Sequence, residues 1–319
     1  MISRNVLVVG GAGFIGSAFV RRLVAHGIKV VVPTRRRERA RHLIVLPTVD
    51  VVQADVHDPQ TLKHLVSGMD AVISLAGILH GDRATPYGAR FKAAHVDLPR
   101  SLAAACAAAG VARLLHVSSL GAGADAPSMY LRSKAAGEDA VRSAPGATAV
   151  TIFRPSVVFG QEDKFINLFA RIQRYVPFVA VGRPQARMQP VHVEDVAQAM
   201  VAAIDNPATF GRTYDLAGPT TYSFREIIEF AGRVVGHPRP VVGLPDLLAY
   251  LQAWAMEFAP FELLSRDNLD SLKVDSTSAT PIAAELGVTP ASMEAVVPAY
   301  LSGHSPRERY MQLRDRAGR

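Results

Sequence analysis

The chain has 319 residues, of which 49% are apolar, and its formal net charge is +7. This composition excludes a globally disordered chain and is enough for one large α/β domain, or a domain with a smaller lobe. The single cysteine, Cys106, excludes an internal disulfide and a cysteine metal cluster, so nothing indicates an oxidising compartment. Cys106 lies in the run "LAAACAAAG", where a small apolar residue of a packed helix is the expected role.

Charge and hydropathy also limit the possible locations of the protein. No uninterrupted apolar run reaches membrane-spanning length, because Pro245 and Pro260 break the segment 244–264. No secretory signal pattern is seen at the start, and we expect a cytoplasmic protein. The basic tail 306–319 holds five arginines against two acids, which predicts a solvated tail. The alternative is attraction to an acidic partner or to anionic lipid at the inner face of a membrane. No motif indicates a nucleic-acid partner.

Strand-like and helical patterns alternate through the first half of the chain. The predicted strands are "NVLVVG", "IKVVVPT", "VDVVQAD", "MDAVISLAG", "RLLHVSS" and "TAVTIFRP". Helical patterns follow Gly13 and cover 58–68, 91–109 and 127–143. The alternation predicts a parallel sheet with helices on both faces, and continuously apolar strands fit burial on both sides. We therefore predict an α/β fold with a Rossmann-type doubly wound parallel sheet.

The pattern loosens after Gly160. Helices near 165–175 and 194–204 and strands at "MQPVHV" and "RTYDLAG" are predicted, and the sequence from about Pro219 is mostly helical. The second half therefore predicts a smaller lobe that crosses back into the sheet at least once. The predicted division is a nucleotide-binding domain at 1–160 with 188–218 partly returning to it, a smaller, mostly helical substrate or partner lobe at 161–187 and 219–305, and the tail at 306–319.

The segment "VVGGAGFIG" carries Gly10, Gly13 and Gly16 between a predicted strand and a predicted helix. Gly10 allows a tight turn, Gly13 has no side chain to block a pyrophosphate, and Gly16 lets the helix approach the strand. The helix N-terminus, including Phe14 and Ile15, offers free N–H groups and a partial positive charge to phosphates. This pattern predicts dinucleotide binding.

The end of the second predicted strand indicates which dinucleotide is bound. An NAD site uses a carboxylate there to bind the ribose hydroxyls. Thr34 stands at that position and is followed by Arg35 and Arg36, whose guanidinium groups suit a 2′-phosphate. We predict NADP(H) rather than NAD(H); a solvated basic loop is the alternative. Asp55 and its neighbour Val56 are predicted to meet the adenine, with a loop cap as the alternative role for Asp55.

Four features together resemble the short-chain dehydrogenase/reductase superfamily, in its extended or atypical branch. They are the glycine spacing, "LAG" at Leu75, Ala76 and Gly77, "VSS" ending at Ser119, and the pair Tyr130 and Lys134 in a helical segment. The resemblance implies that Tyr130 transfers a proton, with the adjacent Lys134 lowering its pKa and holding the nicotinamide ribose. Ser119 would bond the substrate carbonyl or alcohol, with Ser118 as the fallback.

A narrower resemblance is to the NADPH-binding accessory subunit of respiratory complex I, the alpha subcomplex subunit nine family. The matching segments are "MYLRSKAAGE", "RPSVVFGQEDKFINLFA", "QPVHVEDVAQAM" and "FELLSRDNLDSLKVD". This resemblance implies a subunit that holds NADPH as a structural element, and peripheral association with a membrane respiratory complex. The wider resemblance implies an oxidoreductase on a carbonyl or alcohol of a small, lipophilic or quinone-related molecule. An NAD-dependent sugar-nucleotide epimerase is a third reading, against which the arginine-rich loop speaks.

Several other residues have two possible roles. His95 stands where many superfamily members carry Asn, which puts the proton relay in doubt. Pro155 and Val157, after the sixth predicted strand, are candidate cofactor contacts. Asp267 could line the pocket or cap a helix, and capping is favoured. We expect no metal site, because "PVHVED" fits a strand that runs into a helix with acids in its first turn.

Overall fold

The computed structural model describes residues 4–143, 146–258, 264–280, 282–302 and 314. The predicted basic tail therefore lies, except for Arg314, outside the described residues. The strands are β1 (Asn5–Val9), β2 (Lys29–Thr34), β3 (Val49–Gln53), β4 (Ala71–Ser74), β5 (Arg113–Val117), β6 (Ala149–Pro155), β7 (Val158–Phe159), β8 (Val179–Gly182), β9 (Arg187–Met188), β10 (Val191–His192), β11 (Thr213–Leu216), β12 (Tyr222–Ser223) and β13 (Val241–Leu244).

The helices alternate with these strands in the first half and predominate in the second. They are α1 (Phe14–Ala25), α2 (Arg41–Ile44), α3 (Pro59–Val66), α4 (Ala89–Lys92), α5 (Leu98–Ala109), α6 (Met129–Arg142), α7 (Ile166–Ile172), α8 (Val193–Ile204), α9 (Phe224–Val234), α10 (Asp246–Met256), α11 (Arg266–Ser271) and α12 (Met293–Leu301). A π-helical stretch, Ala93–Asp97, joins α4 to α5.

The central sheet of the described chain has seven parallel strands in the order β11-β6-β5-β4-β1-β2-β3. Its two faces are both buried. On β1, Val6 and Val8 face a core shared with α1 and α8, whereas Leu7 and Val9 face a core shared with α3, α5 and α6. Successive side chains of a strand point to opposite faces, so a strand covered on both sides must be apolar throughout. The predicted doubly wound α/β fold is confirmed.

The second half contains both confirmed and missed elements. The strand predicted at "RTYDLAG" is β11, which pairs with β6 at the edge of the central sheet. The strand predicted at "MQPVHV" is instead two short strands, β9 and β10, separated by Gln189 and Pro190. The parallel pair of β8 and β13 was not predicted. It packs with α7, α9 and α12 around a separate apolar cluster.

Two single features of the sequence have clear outcomes. Cys106 lies fully buried in α5, and burial raises the pKa of its thiol to about 12, as expected for a packing residue. In the part of the chain that the structure describes, no helix combines the length and apolarity needed to cross a membrane.

Candidate dinucleotide and proton-transfer site

The corner between β1 and α1 is built on close backbone approach. Gly10 has φ of +89°, and a Cβ there would lie 2.8 Å from the backbone of Leu75 and Ala76 at the end of β4. A Cβ on Gly16 would lie 2.3 Å from the carbonyl oxygen of Gly10. A side chain at either position would therefore separate elements that are in contact. This corner lies between β1 and β4, where the strand order reverses, and open α/β sheets bind ligands at such a point.

The first turn of α1 fits a pyrophosphate. Gly13 is the N-cap, and no side chain bonds the first N–H groups of the helix. Phe14 and Ile15 follow, and their side chains pack partly buried against the core. Uncapped N–H groups at a helix N-terminus, beside an exposed glycine, form a cradle for a phosphate that a Cβ would fill.

The loop after β2 presents Arg35 and Arg36 to solvent. The Thr34 hydroxyl shapes the turn, because it accepts the N–H of Arg36 at 3.3 Å and donates to its carbonyl at 3.0 Å. Within the described residues, neither guanidinium group has an ion-pair partner. Both cations are therefore free to meet an anion near the carboxyl end of β2.

Asp55 and Val56 follow β3, which ends at Gln53, two residues earlier than the position predicted for Asp55. One carboxylate oxygen of Asp55 accepts the N–H of His57 at 3.0 Å, the loop-capping role that was the alternative prediction. Val56 is partly buried and packs on the core. Adenine contacts of the two residues stay a prediction.

A continuous set of contacts leads from the glycine corner to the phenol of Tyr130. A Cβ on Gly77 would lie 3.4 Å from Nε2 of His95, and that nitrogen accepts the N–H of Ile78 at 3.0 Å. The ring of His95 packs edge-on against Tyr130, with centroids 5.6 Å apart. The two ends of the predicted site, the pyrophosphate corner and the proton donor, are thus joined through His95.

His95 is held as a neutral imidazole. Because Nε2 accepts from Ile78, Nδ1 carries the proton and donates to the Ser133 hydroxyl at 2.8 Å, which in turn donates to the carbonyl of Tyr130. Burial, and then the positive charge of Lys134, lower the pKa of His95 to about 3. His95, which stands where many superfamily members carry Asn, therefore positions α6 and the end of β4.

The π-helical stretch that contains His95 lies directly against α6. A Cβ on Gly137 would lie 2.1 Å from the carbonyl oxygen of His95. Gly137 lies on the same helix, seven residues after Tyr130 and three after Lys134. The absence of a side chain there lets α6 approach closely enough to place both residues at the site.

Ser119 and Tyr130 lie together after β5. Burial raises the pKa of the Tyr130 phenol above its ordinary value, and a hydrogen bond with the Ser119 side chain only partly opposes the shift. The expectation that Lys134 would lower this pKa is therefore corrected. Desolvation of the phenol dominates, and the Lys134 ammonium is already occupied elsewhere.

Lys134 has only 4% of its surface exposed, and its Nζ donates to the carbonyl oxygen of Val117 at 2.6 Å. Burial lowers the pKa of Lys134 to about 8, and the nearby carboxylate of Glu138 works in the opposite direction. Glu138 is itself buried; Arg154 contacts it with two nitrogens at 2.7 and 2.6 Å, and Arg142 adds a third bond at 2.9 Å. Glu138, Arg142 and Arg154 thus form a network of charged side chains next to Lys134.

The sequence patterns did not indicate the role of Glu138, and for Asp267 they did not indicate which helix it caps. Glu138 stands four residues after Lys134, a spacing that puts them on one helix face and could have indicated the pair. Asp267 does cap a helix, as favoured, but the helix is α6. Its carboxylate accepts the N–H groups of Met129 and Tyr130 at 2.7 and 3.0 Å.

Pro155 and Val157 take different positions. The carbonyl of Pro155 accepts the N–H of Leu120 at 2.9 Å, so it lies beside Ser119. The carbonyl of Val157 accepts the N–H of Val191, and its side chain packs on the cluster of the second half. Pro155 is therefore close to the proton-transfer residues, and Val157 is at the start of β7.

The segment "PVHVED" is a short strand that runs into α8, as predicted. Glu194, in the first turn, pairs with Arg21 and Arg22. Asp195 accepts the N–H of Ala291 at 2.7 Å. These acids therefore serve helix packing.

Residues 6–217, which include the glycine corner, Ser119, Tyr130 and Lys134, match the family described as NAD dependent epimerase/dehydratase. The chain belongs to this family. Membership makes it an NAD(P)-dependent protein of the Rossmann type. Family membership does not distinguish NADP(H) from NAD(H) as the cofactor.

Three proteins of known name are similar to this chain over most of its length. A Dictyostelium discoideum protein, NADH dehydrogenase (ubiquinone) 1 alpha subcomplex subunit 9, is 33% identical over 70% of this chain and 61% of its own length. The Rattus norvegicus protein of the same name is 31% identical over 90% of this chain and 77% of its own. A Caulobacter vibrioides ceramide reductase is 34% identical over 76% and 74%. This chain thus spans less than two thirds of the Dictyostelium protein. The resemblance to the accessory-subunit family is confirmed.

We predict that Gly137→Ala destabilises the protein. An alanine normally favours a helix interior over glycine, but here the methyl group would overlap the His95 carbonyl, and a loss of about 2 kcal/mol is expected. Urea denaturation measures the change. Gly123→Ala is the control, because its Cβ would meet nothing closer than 4.0 Å. Equal stability of Gly137→Ala and wild type would contradict the close approach.

We also predict that Asp267→Ala frays the start of α6. Removing the carboxylate leaves two N–H groups without their acceptor, which should lower stability by about 1 to 2 kcal/mol. Amide hydrogen exchange at Met129 and Tyr130 should accelerate more than exchange elsewhere in α6. Asp125→Ala, an exposed substitution in the preceding loop, is the matched control. Unchanged exchange at these two amides would show that the cap is dispensable.

Proposed function

We propose that the protein is an NADP(H)-dependent reductase that acts on a carbonyl group of a lipophilic molecule. The observation that carries this proposal is the cluster of Ser119, Tyr130 and Lys134 beside the glycine corner. The Ser119 side chain lies next to the Tyr130 phenol, although its hydroxyl donates to the Leu120 carbonyl at 3.3 Å. Lys134 is buried and bonded to Val117. His95 connects the cluster to the end of β4, so a dinucleotide across the corner would reach it.

Each residue has one task in the proposed reaction. When bound, NADPH would supply the hydride to the carbonyl carbon. Ser119 would donate a hydrogen bond to the carbonyl oxygen and orient it toward Tyr130. Tyr130 would give its phenolic proton to that oxygen, which completes the alcohol. Lys134 would hold the nicotinamide ribose with the N–H groups that Val117 does not use.

The surroundings of Tyr130 favour the protonated phenol. Because burial raises the pKa of Tyr130 above 10.0, the phenol keeps its proton throughout the neutral range. A protonated phenol is the form that a general acid needs, whereas alcohol oxidation would need a phenolate base. The shift keeps the proton on the phenol and also makes the phenol a weaker acid, so it does not by itself set the direction of the reaction.

The proposed cofactor contacts divide along the corner. Arg35 and Arg36 would bind the 2′-phosphate, and Asp55 with Val56 would lie at the adenine. The backbone of Gly10, Gly13, Phe14, Ile15 and Gly16 would hold the pyrophosphate. The remaining proposed contacts, toward the nicotinamide, are Leu75, Ala76, Gly77, Pro155 and Val157. NAD(H) is the less favoured cofactor, since no carboxylate stands at Thr34.

The substrate class rests on one relative and on the second half of the chain. The Caulobacter relative is a ceramide reductase by name, and a ceramide is a lipid. Residues 161–187 and 219–305, which we propose as the substrate lobe, contribute α11 directly to the start of the helix that carries Tyr130. The name of the relative supports a lipophilic carbonyl compound, and the α11 contact supports a place for the proposed lobe beside Tyr130.

A second candidate function is that of an accessory subunit that binds NADPH without turnover. The relatives named as complex I subunits favour it, and they support peripheral association with a respiratory complex at a membrane. The two candidates differ in whether Tyr130 releases a proton. A sugar-nucleotide epimerase is less favoured, because the arginines after β2 suit a 2′-phosphate.

We predict that Tyr130→Phe abolishes reduction but leaves NADPH binding intact. Removing the proton donor should lower kcat by about 10³-fold, while Kd for NADPH changes less than about threefold. NADPH oxidation with long-chain ketones and quinones measures turnover, and fluorescence titration measures binding. Tyr175→Phe, at a side chain that is 83% exposed, is the control. NADPH binding by a wild-type protein that reduces no acceptor would favour the accessory-subunit function instead.

We predict that Arg35→Ser together with Arg36→Ser removes the preference for NADPH. Loss of two cations from the 2′-phosphate should raise Kd for NADPH by about 100-fold and leave Kd for NADH within about twofold. Isothermal titration with each nucleotide measures the two constants. Arg233→Ser, an exposed arginine on α9, is the control. Equal wild-type affinity for NADH and NADPH would contradict the assignment of the arginines.

A further inference from the structure

The helix α10 buries its small residues and exposes its large ones. Ala249 and Ala253 form its inner face and are fully buried in a cluster with Leu269. A Cβ on Gly182 would lie 2.7 Å from Cβ of Ala249, so the helix lies close on β8. A surface helix normally turns its large apolar residues inward. The outer face of α10 therefore has a use outside the fold of the described chain.

The exposed residues of α10 form one stripe. Positions 247, 251, 254 and 258 are spaced by four, three and four residues, which places them along one side of the helix and the turn that follows it. The rings of Trp254 and Phe258 meet edge to face with centroids 5.3 Å apart. The stripe consists of Leu247, Leu251, Trp254 and Phe258, which are exposed by 81%, 57%, 46% and 74%.

The exposed apolar surface continues beside the helix. The side-chain amide of Gln252 donates to the carbonyl of Ala180 at 3.2 Å, so the middle of α10 lies next to the start of β8. Phe178, just before β8, and Val242, on the paired strand β13, are both exposed. An apolar surface of this extent on one lobe indicates a protein or membrane contact.

The charges at the two ends of α10 are paired, and an exposed arginine precedes Phe178. The acids at the two ends of α10 are neutralised, since Asp246 pairs with Arg183 at 2.7 Å and Glu257 pairs with Arg266 at 2.7 Å. Arg174 lies four residues before Phe178, is exposed, and has no ion-pair partner among the described residues. The edge of the apolar surface at Phe178 is therefore cationic through Arg174, and the acids described at the ends of α10 are both paired.

We propose that the outer face of α10 docks on the surface of an anionic lipid bilayer. A short helix with Trp, Phe and Leu on one side and arginines beside it lies in the plane of the lipid headgroups. Arginine at the edge adds attraction to anionic headgroups. A second copy of the chain is a poorer occupant, because a two-fold interface would bring the two cationic edges together. The inference concerns binding alone and does not depend on the proposed reduction.

Trp254 allows a direct test, because it is the only tryptophan of the chain. The full chain is mixed with vesicles of phosphatidylcholine alone, or with phosphatidylglycerol added. The proposal predicts that vesicles containing phosphatidylglycerol shift the Trp254 emission to the blue and co-sediment the protein. It also predicts that brominated acyl chains quench the emission, which places the indole in the lipid.

Matched variants identify the surface. Leu247→Glu should lower the vesicle-bound fraction about tenfold or more, because a charge would replace a leucine that the proposal places in the lipid. Val45→Glu, at a side chain that is also 81% exposed but lies after α2, should change it less than about twofold. Arg174→Glu should weaken binding only to vesicles that contain phosphatidylglycerol.

Three results would overturn the proposal. They are the absence of any Trp254 shift or co-sedimentation at every phosphatidylglycerol content, equal loss of binding in Leu247→Glu and Val45→Glu, and a lipid-free dimer by sedimentation velocity that Leu247→Glu dissolves. The last result would assign the face to a second copy. No turnover is measured in any of these assays, so their failure would leave the proposed reduction standing.

Discussion

Burial of the Lys134 ammonium is the constraint around which the candidate site is arranged. Its pKa of about 8, against an ordinary 10.5, corresponds to roughly 3 kcal/mol of unfavourable desolvation. The unfolded chain binds the extra proton between these two values, so this contribution weakens stability below about pH 8 and is relieved as pH rises through the interval. Glu138, whose pKa burial would raise but Arg154 holds low, keeps the penalty from being larger. The lysine, its carboxylate and the arginine thus act as one unit beneath the phenol.

Local patterns in the sequence were sufficient for most of the fold, whereas Ser119, Tyr130 and Lys134 were chosen from the family resemblance and their roles stay predictions. The run over β1 is apolar at every position because Val8 and Leu7 face different cores, and such a run can be recognised without a structure. The glycines at 10, 13 and 16 could also be interpreted locally, because strand, turn and helix follow one another. What these predictions share is that their physical cause lies within about ten residues.

The parts that could not be predicted depend on residues far apart in the chain. Asp267 caps α6 across 138 positions, and His95 bonds Ser133 across 38. No periodicity encodes such a pair. The parallel strands β8 and β13 were missed for the same reason, since "VAVG" and "VVGL" are short and gain their structure from each other. The raised pKa of Tyr130 was missed because burial of the phenol depends on the whole packing, whereas the effect of a neighbouring lysine can be inferred from spacing.

The desolvation of Lys134 also bears on the choice between enzyme and accessory subunit. Leucine or methionine in place of Lys134 would fill the same space under β5 without placing a charge in the interior. Glu138 and Arg154 would then have no buried ammonium to balance. A fold that only needed to retain a nucleotide could hold it by the glycine corner, the arginines after β2 and the proposed ribose contact of Lys134, none of which requires the hydroxyl of Tyr130. Burial of the ammonium thus serves both candidates, because Lys134 is the proposed ribose contact in each, and the choice between them depends on Tyr130, whose proton only turnover needs.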